Sequence, residues 1–299
     1  MRILLLGGSG QVGEELRSLA LPDDVELVAP SRAALDLTDA QEIVNAVARE
    51  PWDAVINAAA YTEVDRAEGE AAAAFAVNAA APACLADETG RRGIPLVHIS
   101  TDYVFDGCKG SPYVEPDAVA PLNVYGRSKL AGEGGVRLAN PRHVILRTSW
   151  VYSPFRKNFV KTILRLAAER DRLTVVSDQR GCPTAARDIA KACRDIALRC
   201  AKAPGEAPYG TYHFAGAGEA TWFEFAQAIV ALAAGRAPQA PTLEIVPITT
   251  REYPTPAARA ADTRLDCAAI MRVFGFALPP WRQALAETIG RLLADKDIP

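Results

Sequence analysis

Residues 2–20 read RILLLGGSGQVGEELRSLA, and the fold turns on how this stretch is understood. A leucine-rich run leads into glycines, and an amphipathic segment comes next in which Val12, Leu16 and Leu19 recur near helical spacing. The pattern predicts a strand, a tight turn and a helix. Gly7, Gly10 and Gly13 spell G-x-x-G-x-x-G across the turn. Gly7 permits the sharp bend, Gly10 lets a pyrophosphate approach the backbone, and Gly13 allows the helix to pack closely on the strand. The helix start offers free N–H groups and the positive end of its dipole to that anion. A glycine-rich turn without a ligand uses the same letters. Its position between a strand and a helix is the context that dinucleotide binding requires.

Working outward, VELVA (25–29), AVIN (54–57), LVHIS (96–100) and HVILR (143–147) are further buried-strand candidates. Helical patterns lie between them, around 39–49, 70–89 and 127–139. Alternation of this kind predicts an α/β fold, a Rossmann-like doubly wound parallel sheet with helices on both faces. NAAAY (57–61) leaves a strand at its carboxyl end, where such sheets bind ligands. Its alanines suit either a cofactor lying on backbone or a packed helix. After about residue 150 the pattern loosens and prolines accumulate, among them Pro238 and Pro241. Helical stretches near 157–169, 186–200, 221–234 and 281–293 remain. The expected organisation is a nucleotide-binding domain over 1–149 and a smaller α/β substrate lobe over 150–299, with some later helices returning to flank the sheet.

The formal charge of −3 argues against a nucleic-acid or anionic-membrane surface. No apolar run is long enough to cross a bilayer, and the amino-terminal stretch ends in glycines rather than in a cleavage site. Six scattered cysteines without a C-x-x-C predict reduced, buried thiols and a cytoplasmic protein. Three well-separated histidines give no metal-ligand cluster.

Three weaker signals fall in the order one active site needs. After the second strand candidate the chain reads PSRAALD (30–36), where many NAD sites carry an acid for the ribose diol. Ser31 and Arg32 suit a 2′-phosphate instead, which favours NADPH, with NADH as the alternative; an exposed loop arginine reads the same way. Asp36 either reaches an adenine or forms a turn, and Thr38 with Gln41 resembles a capping box. HISTDYVFDG (98–107) then places the hydroxyls of Ser100 and Thr101 at a strand's carboxyl end, although Ser-Thr-Asp is also a turn former. Last, NVYGRSKLAGE (123–133) sets Tyr125 and Lys129 four apart, on one helix face. That spacing alone fits a solvated helix turn equally well. A tyrosine ionises near ~10, and a cation beside it favours the phenolate.

GQVGEEL, NAAAYTEVDRAE, STDYVFDG, PLNVYGRSKLAGE, RTSWVY, DQRGCPT and YPTPAARAADTRL, in order from residue 10 to 265, carry a broader likeness. The chain resembles the extended short-chain dehydrogenase/reductases that act on nucleotide sugars, and within them the dTDP-4-dehydrorhamnose reductase family. The resemblance implies NADPH-dependent reduction of the C4 ketone of dTDP-4-dehydro-L-rhamnose, with Tyr125 supplying the proton, Lys129 tuning it and Thr101 binding the carbonyl oxygen. It also implies Gly10, Gln11 and Val12 at the pyrophosphate, Asp36 and Leu37 near the adenine, and Ala60, Tyr61 and Thr62 along the cofactor. Thr101, Asp102 and Trp150 would contact the sugar nucleotide. Tyr103 comes after Asp102 where related dehydratases have a second acid, which argues against elimination of water. Neither Cys108 nor His98 aligns with the Cys/His pair of epimerase-reductases.

For the diphosphate, Arg251, Arg259 and Arg264 are candidates, Arg259 foremost. Trp222 packs either a base or a core. Some relatives dimerise around a magnesium held by glutamates. Glu15 is present, but Arg187 and Arg291 stand at the other two positions, and arginine is no oxygen ligand. The expectation is therefore no bridging Mg2+, and a monomer or a homodimer built differently. The rival reading is a non-catalytic NADP-binding regulatory subunit, or a reductase of another nucleotide 4-keto-6-deoxy sugar.

Overall fold

The computed structural model describes residues 1–235 and 243–294. Pro238, Pro241 and the end of the expected second lobe (295–299) lie outside the described residues. Six strands form the central sheet: β1 (Arg2–Leu6), β2 (Glu26–Val28), β3 (Ala54–Asn57), β4 (Leu96–Thr101), β5 (His143–Thr148) and β6 (Gly210–His213). All pairings are parallel, in the order β2-β1-β3-β4-β5-β6. The chain steps from β1 outward to β2 and then back across to β3. That reversal opens a crevice beyond the carboxyl ends of β1 and β3, where open α/β sheets bind ligands.

Alternation along the strands explains the two layers of helices, because successive side chains point to opposite faces. Leu4, Leu6, Val55, Leu96 and Ile145 pack against α2 (Ala40–Ala48), α3 (Ala81–Arg91) and the far end of α4 (Val124–Ala139). Ile3, Leu5, Ile56, Val97, Val144 and Leu146 face the other way, onto α1 (Gln11–Ser18) and α5 (Ala186–Lys202). The residues between β5 and the chain's end thus supply both an edge strand and a covering helix of this sheet. A separate apolar cluster joins Tyr152, Val160, Ile163, Phe225, Ile229, Leu285 and Ile289, on helices Phe159–Glu169, Trp222–Ala234 and Trp281–Ala294. Strands Arg172–Val176 and Glu244–Ile248 pair in parallel beside it.

Local details depart from the sequence reading. Helix α2 is capped by Asp39, whose carboxylate accepts from the Gln41 and Glu42 N–H groups, while Thr38 bonds to Asp36. The aspartate, one residue nearer the first turn, wins the cap from the proposed Thr38 box. The long alanine-rich helix is interrupted: Ala71–Phe75 is α-helical, Ala76–Ala80 is a π turn, and α3 continues from it. Of the six cysteines, Cys182, Cys193, Cys200 and Cys267 are buried, but Cys108 is exposed.

Candidate active site

The glycine loop lies against the end of β3. Gly7 has φ +80°, and a Cβ there would meet the Ala59 nitrogen at 2.5 Å. A Cβ on Gly13 would overlap the Gly7 carbonyl. Both positions are therefore closed to side chains by backbone, which leaves the first turn of α1 open at the crevice. Gly10 is its N-cap and Val12 is buried in the core. Gln11 points elsewhere: its amide oxygen accepts from the Ser153 hydroxyl at 3.0 Å. Arg156 donates to the Ser9 carbonyl at 2.6 Å, so segment 151–156 crosses the loop.

Beyond β2, Ser31 and Arg32 are exposed, and among the described residues nothing forms an ion pair with Arg32. The Asp36 carboxylate accepts from the Thr38 N–H and hydroxyl, at 2.9 and 2.8 Å, which holds its pKa low. Of the two roles open to Asp36, the turn is the one its side chain makes. Leu37 packs beside the adjacent core. After β3, Ala60 and Tyr61 are half-buried and Thr62 is exposed. The backbone of Tyr61 is gripped by the buried Asn78, which accepts from its N–H at 2.8 Å and donates to its carbonyl at 3.0 Å. Asn78 also donates to Ser128 on α4. The sequence reading missed Asn78. Its signal was weak, a lone asparagine in an alanine run, and the π turn aims it.

Helix α4 carries the tyrosine and lysine. Asn123 caps it, accepting from the Gly126 N–H at 2.8 Å. Tyr125 and Lys129 are both buried. Burial raises the Tyr125 pKa, while the Thr101 hydroxyl acts the other way, so the phenol is neutral near pH 7. Burial lowers Lys129 to about 8, against the opposing charge of Glu133. Its Nζ donates to the Ile99 carbonyl at 2.7 Å. The picture of a phenol acidified by Lys129 needs amending here. Desolvation dominates, and the ammonium is turned to the end of β4. Glu133, wholly buried, anchors the helix: it accepts from Ser100 at 2.6 Å and from Arg147 at 2.9 and 2.8 Å.

Thr101 ends β4, accepts from the Tyr103 N–H and donates to Asp102 at 3.1 Å. Asp102 is only 1% exposed, and its carboxylate also accepts from Ser149 at 3.0 Å and Thr263 at 2.6 Å. Asp102, the expected sugar contact, turns its carboxylate onto an inward set of hydroxyls. Tyr103 meets Tyr125 edge-on, with ring centres 5.3 Å apart.

Next to this group lies a cleft lined by Tyr103, Asn123, Trp150, Gln179, Arg259 and Thr263, among others. Trp150 sits at φ +47° and stacks on Trp222, with centres 3.5 Å apart and planes at 8°. A side chain on Gly181 would overlap that indole. Trp222 therefore packs and lines the cleft at once. Arg259 pairs with Asp65 at 3.0 Å and lies over the Tyr103 ring, and among the described residues its buried Nη1 has no hydrogen-bond partner. Arg264 is engaged by Asp262 and Glu219. Arg251 is exposed.

A parallel-sheet glycine crevice, a buried tyrosine and lysine on one helix and a hydroxyl at the neighbouring strand end frame the comparison with known proteins. The family model described as "RmlD substrate binding domain" matches residues 1–294. A dTDP-4-dehydrorhamnose reductase of Sinorhizobium fredii is 43% identical over 298 residues, 99% of each chain. The chain belongs to the dTDP-4-dehydrorhamnose reductase family. Among solved structures, the ortholog from Clostridium acetobutylicum superposes with a TM-score of 0.89 at 35% identity, covering 98% of this chain and 100% of that one. The Bacillus anthracis reductase, solved in complex with NADP, gives 0.86 at 34% identity, covering 97% and 99%.

At Glu15, where the resemblance would place a bridging magnesium, the surroundings do not fit such an ion. Its buried carboxylate is held by Arg291 at 2.6 Å and Arg187 at 3.4 Å, and guanidinium groups only donate. Among the described residues no helix is long and apolar enough to cross a membrane.

Proposed function

We propose that this chain reduces the C4 ketone of dTDP-4-dehydro-L-rhamnose with NADPH, giving dTDP-L-rhamnose. The observation that carries this reading is a neutral, buried Tyr125 beside the Thr101 hydroxyl, on the helix whose next turn bears Lys129. NADPH, when bound, supplies the hydride. The glycine crevice fits its pyrophosphate, since Gly7 and Gly13 leave backbone where side chains would intrude. Ser31 and Arg32 would meet the 2′-phosphate, and Ala60, Tyr61 and Thr62 would border the cofactor.

Burial holds the Tyr125 proton in place until an oxygen beside it becomes strongly basic. Thr101 would border that oxygen, and Tyr125 gives its proton as the alcohol forms. Lys129, with a pKa near 8, remains mostly protonated at neutral pH, one helical turn from the phenol and held by the Ile99 carbonyl. The unpartnered Nη1 makes Arg259 the leading candidate for the diphosphate. The Trp150–Trp222 stack would wall the sugar. The lobe beyond residue 150 would provide most of this substrate surface. The same reading makes the protein a cytoplasmic enzyme without a bridging magnesium, either a monomer or a homodimer built otherwise.

The test monitors NADPH absorbance with the dTDP-4-keto sugar. Wild type should consume NADPH, and Tyr125→Phe should lose about 100-fold or more in kcat while still binding NADPH. No consumption by wild type would favour the regulatory-subunit reading, and an unimpaired Tyr125→Phe would remove the tyrosine from the chemistry.

A further inference from the structure

Besides the backbone pairing of Arg180 with Ala261 and Thr263, three side chains from different parts of the site fasten the loop that carries Arg259. Asp65, beyond β3, accepts from the Ala257 N–H at 3.2 Å and pairs with Arg259 itself. Asn123, the cap of α4, donates to the Ala258 carbonyl at 2.8 Å. The third point is Asp102, which takes the Thr263 hydroxyl at 2.6 Å. Asp102 differs from the other two because it also holds Thr101, at 3.1 Å, and Ser149, the residue before Trp150, at 3.0 Å. One carboxylate thus gathers hydroxyls from the ends of β4 and β5 and from the loop, across sequence separations of 1, 47 and 161 residues.

Resting on the reductase reading above, we propose that Asp102 is a positioning residue for the reduction: by collecting these three hydroxyls it fixes the Thr101 hydroxyl beside Tyr125 and couples it to the Arg259 loop. A hydroxyl has a single proton and rotates freely. With its proton committed to Asp102 and one acceptor site taken by the Tyr103 N–H, Thr101 keeps a single lone pair, whose direction is thereby set. Thr263 and Ser149 donate to the other carboxylate oxygen, so a shift of the Arg259 loop or of the Trp150 segment reaches Thr101 through one rigid group.

The groups facing this carboxylate are otherwise neutral. Tyr103 and Tyr125 are both held protonated by burial, and the Cys182 thiol is pushed up to about 11 by burial. No cation balances Asp102 among its hydrogen-bond partners, and burial raises its pKa to about 6. Three donated hydrogen bonds keep the charged form in use above that value. Acid therefore releases the assembly: a protonated Asp102 donates where it formerly accepted, and a hydroxyl has to turn.

Asp102→Asn keeps the shape but replaces one acceptor by a donor, and Thr263→Val removes one donor without touching Thr101. The expected result is a kcat reduced about 10- to 100-fold in Asp102→Asn, with NADPH affinity and melting temperature close to wild type. The acid limb of the kcat profile near pH 6 should vanish in that variant. Thr263→Val should lower kcat by itself and have little further effect in the Asp102→Asn background, since both act through one assembly. A wild-type kcat in Asp102→Asn, an unchanged acid limb, or fully additive losses would overturn the role while leaving the reductase reading intact. A purely structural role would lower the melting temperature and leave the limb in place. If the wild type consumes no NADPH with the ketone, the reductase reading fails first and this role falls with it.

Discussion

Glu133 offers the sharpest test of how the catalytic helix is held. Glutamine in its place keeps the size and removes the charge. Arg147, 4% exposed at its side chain, would then be a cation without its bidentate partner, and Ser100 would lose a carboxylate acceptor. Breaking one side of a buried pair costs about 3–5 kcal/mol. At about 2 °C or more per kcal/mol for a chain of this size, Glu133→Gln should melt roughly 6–15 °C lower in calorimetry. Burial pushes the Glu133 pKa up, but Arg147, Ser100 and Arg137 together pull it below the ordinary glutamate value. The pair's stabilisation is accordingly present above about pH 4.5 and fades as pH falls through the lower folded value, so the gap between variant and wild type should narrow in acid. Glu133 also raises Lys129 against the effect of burial. Its removal should move the basic limb of kcat/KM to lower pH. Glu133→Gln/Arg147→Met, which removes both charges, should regain much of the lost stability. A melting temperature within about 2 °C of wild type, or a basic limb that moves upward, would refute the reasoning.

Three further expectations concern single sites. Wild-type kcat/KM should decline above about pH 8 as Lys129 loses its proton; in Lys129→Arg that limb should move out of range, and an unmoved limb assigns it to another group. Arg259→Ala should raise KM for the sugar nucleotide by about 10-fold or more with KM for NADPH nearly unchanged, as steady-state kinetics would show; equal effects would place Arg259 outside the site. Light scattering should give the same mass with and without EDTA, because Arg187 and Arg291 hold Glu15; a dimer that dissociates in EDTA would contradict this.

Much of the fold over residues 1–149 was legible because its signals are local. Glycines at a strand–helix junction and apolar runs of strand length need only a short window, and Thr101, Tyr125 and Lys129 emerge from the elements that bear them. The edge strand β6 was not legible: GTYH has no apolar run, and only its pairing with β5 makes it a strand. Roles set by distant partners were equally hidden. Asp102 reads as a sugar contact or as part of a turn, with no sign that Thr263 reaches it from across the chain, and Arg264 reads as an anion ligand until Asp262 and Glu219 engage it. Trp150 and Trp222 identify one another only by stacking.

The π turn at Ala76–Ala80 has an evolutionary consequence. A wide turn of this kind is a regular helix with one residue inserted. The surplus residue swings the helix before it by about 100° relative to the helix after it. Here it delivers Asn78 to the Tyr61 backbone while its carbonyl presses on Gly132, where no side chain fits. Deleting one alanine from the run would leave hydrophobicity and helix propensity untouched. It would nonetheless rotate the asparagine away and unlatch the loop after β3. Length, rather than composition, is what selection has to preserve in this stretch.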